Sequence, residues 1–270
     1  MYGPSSRCTT DETRHNGPVE SSRLALKISY LGGPFAGWQR QAGARTVQGA
    51  LENALETLYR RPVSVVGAGR TDAGVHAAGQ VAHFDAPFPI PPAGVLSALN
   101  SLVAEEVRVL RAWRVPKEFH ARRSALGKRY RYRLACGAVL PPWENLRRWQ
   151  VSYSLEAGAM ATCLSAVLGE HDFAAFALSG HSGRGARGTV RVVTLARLRV
   201  RGRRLDIVLE GDGFLRGMVR RIVGGLAEVG RGAQPPSWFA ALVGNRQVLP
   251  PAPTAPPHGL TLERVYYRRQ

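Results

Sequence analysis

A glycine-rich stretch from Gly67 to His76 carries the side chains with the clearest capacity for chemistry. Within it, Asp72 supplies a carboxylate and Arg70 a guanidinium, and Asp72 is the only acid of the stretch. Glycines let the backbone turn tightly and let a ligand approach the main chain closely. A single carboxylate held among arginines is typical of a catalytic group. We therefore expect the chemistry to centre on Asp72. The structural alternative is that its oxygens merely accept backbone N–H bonds and cap the turn.

The charge balance indicates a polyanionic partner. Lysine and arginine together number 37 against 19 acidic residues, which leaves a formal net charge of +18. A surface of this sign attracts phosphate over long distances, so nucleic acid is the leading class of ligand. Arginine also binds phosphate bidentately and stacks on bases, which suits RNA. A coding bias toward arginine, or adaptation to heat, is the alternative explanation.

Length and composition are those of a folded chain with one large domain or two moderate ones, since its 270 residues are 44% hydrophobic. No apolar run approaches the roughly 20 residues that cross a bilayer, and the N-terminus lacks the order of a signal peptide. The three cysteines, Cys8, Cys136 and Cys163, are far apart and favour reduced thiols over disulfides or a zinc site. We expect a cytoplasmic protein without a metal and without a membrane partner.

The first part of the chain predicts a mobile tail and then an α+β half. Residues 1–22 are polar and aperiodic, so we exclude them from the fold. Apolar spacing predicts a helix from Val47, with Thr46 as its N-cap and Pro62 beyond its end. Strands are predicted at Leu24–Tyr30, Val63–Val66, Gln80–Phe84 and Val107–Val115, with a short helix around Val95–Leu99. The N-terminal half then covers residues 23–125 and carries the Asp72 loop.

A second α+β half covers residues 126–270. Its first strand, Lys128–Leu134, places arginines on one face and tyrosines on the other. Helices are predicted at Leu155–Leu168 and Phe214–Val229, a hairpin at Val190–Val200 and Arg203–Leu209, and a last strand at Leu260–Tyr267. The segment Ser179–Gly188 is rich in glycine and arginine and predicts a flexible loop. Two halves of similar content indicate a ligand cleft between them.

Five motifs occur along the chain in one order. They are Gly37–Gln41, Gly69–His76, Phe119–Arg122, Lys128–Tyr132 and Met218–Arg220. On these residues the chain resembles the tRNA pseudouridine synthase A family, from about Leu24 to its C-terminus. The block around Asp72 carries most of the specificity.

The resemblance implies a fold and a reaction. The implied fold is α+β, with two ferredoxin-like or RRM-like halves whose antiparallel sheets form a pseudouridine synthase fold with a central basic cleft. The implied reaction breaks the N1–C1′ bond of a uridine, turns the base and joins C5 to C1′, with no cofactor. The implied substrate is tRNA, at positions 38, 39 and 40 in the anticodon stem-loop, and the implied assembly is a homodimer.

The resemblance also implies roles for four residues. Asp72 is the catalytic carboxylate, Arg70 assists extrusion of the base, Tyr130 packs against the uracil, and Arg220 pairs with Asp72 and keeps it ionised. An everted nucleotide needs such groups, because unstacking must be offset by stacking on a ring. Arg70 could instead contact a surface acid or phosphate. Whether Asp72 attacks C1′, adds to the uracil ring or removes the 2′ proton stays open.

Several other residues invite assignments that we weigh against packing. His76, His83 and the pair His171–Asp172 are expected to be structural rather than catalytic. Trp38 could reach RNA or cover the core. We expect the neighbours of Arg220, namely Arg216 and Arg221, to contact phosphate or solvent. The chain departs from the family pattern at Leu31, where an aspartate is usual, and at Gly217, where a larger polar residue is common.

Two other functions remain to be compared with the isomerase. A non-catalytic RNA-binding protein would keep the basic cleft, but it would have no reason to place an acid there. A glycosidase typically needs two facing carboxylates, and the Asp72 block offers one. Asp85 is the nearest further acid along the chain, with no evident pairing.

Overall fold

A ten-stranded, mostly antiparallel sheet forms the centre of the computed structural model, which describes residues 22–137, 139–178, 188–244 and 251–268. The strands are β1 (Ser22–Tyr30), β2 (Val66–Gly67), β3 (His76–Ala86), β4 (Val107–Arg114), β5 (Gly127–Cys136), β6 (Trp149–Val151), β7 (Gly169–Asp172), β8 (Val190–Arg201), β9 (Arg204–Gly211) and β10 (Leu260–Tyr266). The helices are α1 (Val47–Tyr59), α2 (Pro92–Leu102), α3 (Pro142–Asn145), α4 (Ala157–Ser165), α5 (Met218–Gly230) and α6 (Pro236–Val243). The expected α+β class is confirmed.

The last strand joins the two predicted halves into one sheet. The strand order is β4-β1-β3-β10-β5-β9-β8-β7, with β2 beside β3 and β6 beside β5. Strand β10 runs parallel to β3, with Thr261 opposite His76, and antiparallel to β5, with Leu262 opposite Tyr130. Strands β3 and β5 therefore both lie against β10, so the loop before β3 and the tyrosine on β5 lie close together.

Strand β5 has the two chemically distinct faces that its alternation predicts. Tyr130 and Tyr132 are buried in the core, whereas the arginines that alternate with them lie partly exposed on the other face. There, Arg129 pairs with Glu210, and Arg131 pairs with Glu263 at 2.6 Å. The core face of β5 is consequently aromatic, and the outer face is held by ion pairs to β9 and β10.

Helix α1 begins and ends close to its predicted bounds. The amide of Gly49 donates to Oγ1 of Thr46 at 3.2 Å, which satisfies one of the free N–H groups of the first turn. Helix α4 begins two residues later than predicted, because Oε2 of Glu156 caps it by accepting from the amide of Ala159 at 2.6 Å, and it ends three residues earlier than predicted, at Ser165. Helix α5 begins at Met218, four residues later than predicted, because Gly217 has a φ of +72°.

Other boundaries differ because strand pairing, rather than local periodicity, decides them. The run Val63–Val66 is apolar, yet only Val66 and Gly67 pair with β3. Strand β3 begins at His76, four residues before the predicted start, because its first residues pair with β10. The short elements α3, β6 and β7 and the helix α6 are not predicted from the sequence pattern.

Two predictions concern residues that lie wholly or largely outside the described part of the chain. These are the mobile tail, of which only Ser22 is described, and the flexible loop, of which only Gly188 is described. Cys136 and Cys163 are buried free thiols. Within the described ranges, none of the helices combines the length and apolar character needed to cross a membrane.

Candidate active site

The loop of residues 68–75 carries Asp72 and is fixed at several points. The amide of Ala68 donates to Val81 O at 2.7 Å, and Nε2 of Gln80 donates to Gly69 O at 2.8 Å. Further along, Thr71 O accepts from the amide of Trp38 at 3.0 Å, and its hydroxyl lies 2.9 Å from that of Tyr30. The carboxylate therefore projects from a constrained backbone.

Glycines allow this loop to lie against its neighbours. Gly37 has a φ of +104°, and a Cβ there would lie 2.7 Å from Thr71 O. Gly74 has a φ of +78°, and a Cβ there would lie 2.8 Å from Cγ of Pro257. At both positions a side chain would be strained and would push the loop away from the core.

Asp72 is held between two arginines, of which Arg216 lies in the turn before α5 and Arg220 in the first turn of α5. Nη1 of Arg220 donates to its Oδ2 at 3.2 Å, and Nε of Arg216 lies 3.8 Å from its Oδ1. The Arg220 side chain is 15% exposed and that of Arg216 is 58% exposed. Water screens the outer pair more strongly, so Arg220 is the dominant electrostatic partner.

The Arg220 guanidinium is itself anchored. Its Nε donates to Ala255 O at 2.8 Å, and the amide of Ala255 donates to Arg220 O at 3.1 Å. Arg220 therefore bridges the segment before β10 and the Asp72 loop. The planar fork of an arginine fixes the directions of both contacts, which the single ammonium group of a lysine does not.

Tyr130 forms an aromatic wall of the same site. It is 8% exposed, and its ring packs edge-on against Phe214 with centroids 5.1 Å apart and an interplanar angle of 81°. Burial raises the pKa of Tyr130 well above its usual range, with Tyr30 and Asp72 adding to the effect, so the phenol stays neutral. A neutral ring that lines the cavity can stack on a base.

These groups line one cavity of about 550 Å³. Asp72 is the only acid among its described lining residues, whereas the cations are Arg70, Arg122, Lys128, Arg216 and Arg220. The structure thus brings together all four residues singled out from the sequence. The cavity combines one carboxylate, an aromatic wall and an excess of positive charge, which suits a nucleotide with its phosphate.

Arg70 is a cation of the cavity that is free to contact a ligand. It is exposed at the rim, and among the described residues no hydrogen bond or ion pair involves its side chain. A long cationic side chain without an intramolecular partner can move to contact an incoming ligand.

The histidines have structural partners, in agreement with the expectation from the sequence. Nδ1 of His76 accepts from the amide of Gly32 at 3.0 Å, and its Nε2 faces two carbonyl oxygens. Nδ1 of His83 accepts from the amide of Ala121 at 3.1 Å, and burial lowers the pKa of His83 to about 4. Nε2 of His171 donates to a carbonyl 2.8 Å away. None of these three residues lines the cavity.

Three further residues have roles that the sequence leaves open or assigns differently. Trp38 is 2% exposed and lies against Gly67, so it packs under the loop while still lining the cavity. Arg221 donates to Ala177 O at 3.1 Å and to Ala175 O, so it binds backbone rather than phosphate or solvent. Asp85 pairs with Arg23 at 2.7 Å and is not a cavity residue.

Sequence reasoning missed three residues of the site. The pairing of Arg216 with Asp72 has no periodic signal, because Arg216 lies in the turn before α5. The position of Lys128 does have a periodic signal, because strand alternation places it on the same face of β5 as Tyr130. Arg122 belongs to a motif that marked the family but had no assigned role. In the described part of the chain, no three His, Cys, Asp or Glu side chains come together as metal ligands would.

Comparison with known proteins shows the family of this chain. The sequence model described as tRNA pseudouridine synthase matches residues 27–122 and 164–268. The chain belongs to this family. A tRNA pseudouridine synthase A of Frankia casuarinae is 46% identical over 253 residues, covering 91% of this chain and 89% of its own. That of Myxococcus xanthus is 41% identical over 246 residues, covering 91% and 92%.

Family membership identifies the chain as an isomerase that acts on tRNA and converts uridine to pseudouridine. The large, mostly antiparallel sheet agrees with the fold expected of this family.

Proposed function

We propose that this tRNA pseudouridine synthase modifies uridines of the anticodon stem-loop and that Asp72 is its catalytic carboxylate. The observation that carries the proposal is the position of Asp72 beside Arg220, as the single acid among the described residues of a cavity that also has five cations and the ring of Tyr130 in its lining. The names of the relatives support tRNA as the substrate.

The cavity supports eversion of the target nucleotide. A stacked uridine hides C1′ from any side chain, so the base must leave the helix before reaction. Tyr130 would then stack on the uracil, and Arg70 would occupy the space that the base leaves. Each of these contacts offsets part of the unstacking cost, which is on the order of a few kcal/mol.

Asp72 would act next to the ribose and the base of the everted nucleotide. The N1–C1′ bond breaks, the base turns within the cavity, and C5 bonds to C1′. The hydrogen on C5 leaves as a proton, and N1 gains one. Arg220 would hold the carboxylate oxygens in one orientation throughout, which matters because small misplacements of a catalytic group reduce rates strongly.

A glycosidase explains the site less well. Hydrolysis of a glycosidic bond usually requires a second carboxylate facing the first, and no other described lining residue is acidic. A protein that only binds RNA also explains it less well, because a carboxylate in the cavity repels phosphate.

The test is release of tritium from tRNA transcripts labelled at uracil C5, since the label leaves only when C5 forms the new bond. We expect release with the unmodified protein and none with Asp72→Asn. Asp85→Asn is the matched control, because it makes the same chemical change outside the cavity, and it should release tritium at the normal rate.

Each contrary outcome contradicts a named part of the proposal. Release by Asp72→Asn would remove the catalytic role of that residue. Free uracil as the product would indicate hydrolysis. Binding of tRNA by the unmodified protein without any release would favour the RNA-binding function. Release of tritium from a transcript that is labelled only outside the anticodon stem-loop would contradict the proposed target.

The proposal includes a homodimer in the cytoplasm. A dimer would let two copies of the basic surface contact one tRNA, which is large compared with one cavity. Sedimentation of the protein with and without tRNA measures this directly. A single copy of the chain at micromolar concentration in both samples would contradict the dimer.

A further inference from the structure

Lys128 lines the same cavity as Asp72 and has no part in the proposed reaction. It is two residues from Tyr130 on β5. Its end packs against the loop that carries Asp72, since a Cβ placed on Gly69 would be 3.2 Å from Cε and 3.6 Å from Nζ of Lys128. The ammonium group is therefore positioned by the strand on one side and the loop on the other.

The surroundings of this ammonium group are short of negative charge. In residues 22–137, 139–178, 188–244 and 251–268, Nζ of Lys128 has no hydrogen-bond acceptor and no ion pair. Burial first, and then the nearby charges of Arg122 and Arg191, lower the pKa of Lys128 to about 8, although Asp212 opposes the shift. Asp212 also accepts a hydrogen bond from the amide of Val192 at 3.1 Å.

We propose that Lys128 binds a backbone phosphate of the tRNA that flanks the everted uridine. This inference rests on the proposed function, because it takes the occupant of the cavity to be a nucleotide. Among the described residues that line the cavity, five cations against one carboxylate leave net positive charge at the wall. A phosphate would supply the missing negative charge. The location beside Gly69 would set the distance between that phosphate and Asp72.

A phosphate explains the position better than a contact with a neutral base. A partly buried cation without an ion pair destabilises the free protein, and an anionic ligand would remove this cost on binding. A uracil carbonyl would supply only a partial charge. The phosphate contact would therefore connect binding of the RNA backbone to placement of C1′ near the carboxylate.

The experiment compares Lys128→Met with Lys27→Met, both in the Asp72→Asn background so that the tRNA stays unmodified. Lys27 is exposed on β1, so its variant makes the same charge change outside the cavity. We expect Lys128→Met to weaken tRNA binding about tenfold at moderate salt and to reduce the slope of log K against log salt by about one. Lys27→Met should leave both values close to those of the parent.

Thermal unfolding separates this role from a structural one. If Lys128 serves only to bind RNA, Lys128→Met should keep or raise the melting temperature, because the substitution removes a partly buried cation that has no ion pair. A lower melting temperature, or an unchanged salt slope, would overturn the proposal. The melting temperature therefore distinguishes destabilisation of the variant from loss of a phosphate contact.

Replacing single phosphates of the tRNA by uncharged analogues tests which group Lys128 binds. A methylphosphonate at the phosphate on either side of the target uridine should weaken binding to the parent but have no further effect on Lys128→Met. Equal losses in both proteins would overturn the proposal. Failure of the proposed function would appear separately, as absence of tritium release from the protein with intact Asp72 and Lys128.

Discussion

Replacing Arg220 by methionine tests how strongly one guanidinium orders the site. Arg220→Met keeps an unbranched side chain, but it removes the donor 3.2 Å from Asp72 and the donor 2.8 Å from Ala255 O. Asp72 would keep only Arg216, at 3.8 Å and largely in water. We expect the carboxylate to lose its fixed orientation, while the loop that carries it stays in place through its backbone contacts.

The expected coupling energy between Asp72 and Arg220 follows from the distance between their charges and from their exposure to water. Two unit charges 3.2 Å apart attract by about 5 kcal/mol at an effective dielectric constant of 20. Desolvation of both groups and the 26% exposure of Asp72 reduce this to a net coupling of about 2 kcal/mol. The outer pair with Arg216 is longer and more exposed, and it should contribute less than about 1 kcal/mol.

The assay is a double-mutant cycle read by urea unfolding, with Asp72→Ala combined first with Arg220→Met and then with Arg216→Met. We also expect tritium release by Arg220→Met to fall by about 100-fold, because the catalytic group is no longer aligned. The rate of tritium release by Arg220→Lys should lie between those of the parent and of Arg220→Met, since lysine keeps the charge without the planar fork of donors. Equal coupling energies for the two arginines, or normal turnover in Arg220→Met, would refute the reasoning.

Two further predictions concern stability. Gly217→Ala should lower the free energy of unfolding by about 2 kcal/mol, because φ is +72° there and a Cβ would lie 2.5 Å from Leu178, and urea unfolding measures this. The free energy of unfolding should fall by up to about 3 kcal/mol as the pH drops from 6.5 toward 4. The reason is that the pKa of His83 is 6.5 in the unfolded chain and about 4 in the folded protein, so the unfolded chain binds the proton first. His83→Gln should reduce this loss, and an unchanged pH profile of unfolding would contradict the assignment.

The parts of the fold that local sequence determines were predictable. The alternation in β5 separates tyrosines from arginines because successive side chains of a strand point to opposite faces. The start of α1 at Val47 follows from the capping hydroxyl of Thr46. Asp72 stood out because it is a single acid in a basic, glycine-rich stretch. In each case the physical cause lies within a few residues of its effect.

The remainder depends on contacts between distant segments. Nothing in the periodicity of β10 tells that it runs parallel to β3 and antiparallel to β5. The length of β3 follows from that pairing, so its start at His76 could not be read from its own residues. The contact of Arg216 with Asp72 likewise depends on where α5 meets the loop. Such contacts are properties of the assembled sheet.

The C-terminal strand matters for chemistry although it supplies no reactive group. Reciprocal hydrogen bonds between Arg220 and Ala255 join α5 to the segment that leads into β10. Strand β10 in turn pairs with β3, directly after the Asp72 loop, and with β5 at Tyr130. The acid, its guanidinium partner and the aromatic wall are therefore aligned through one strand. Because side chains alternate along a strand, a shift of β10 by one residue would disturb all three positions at once.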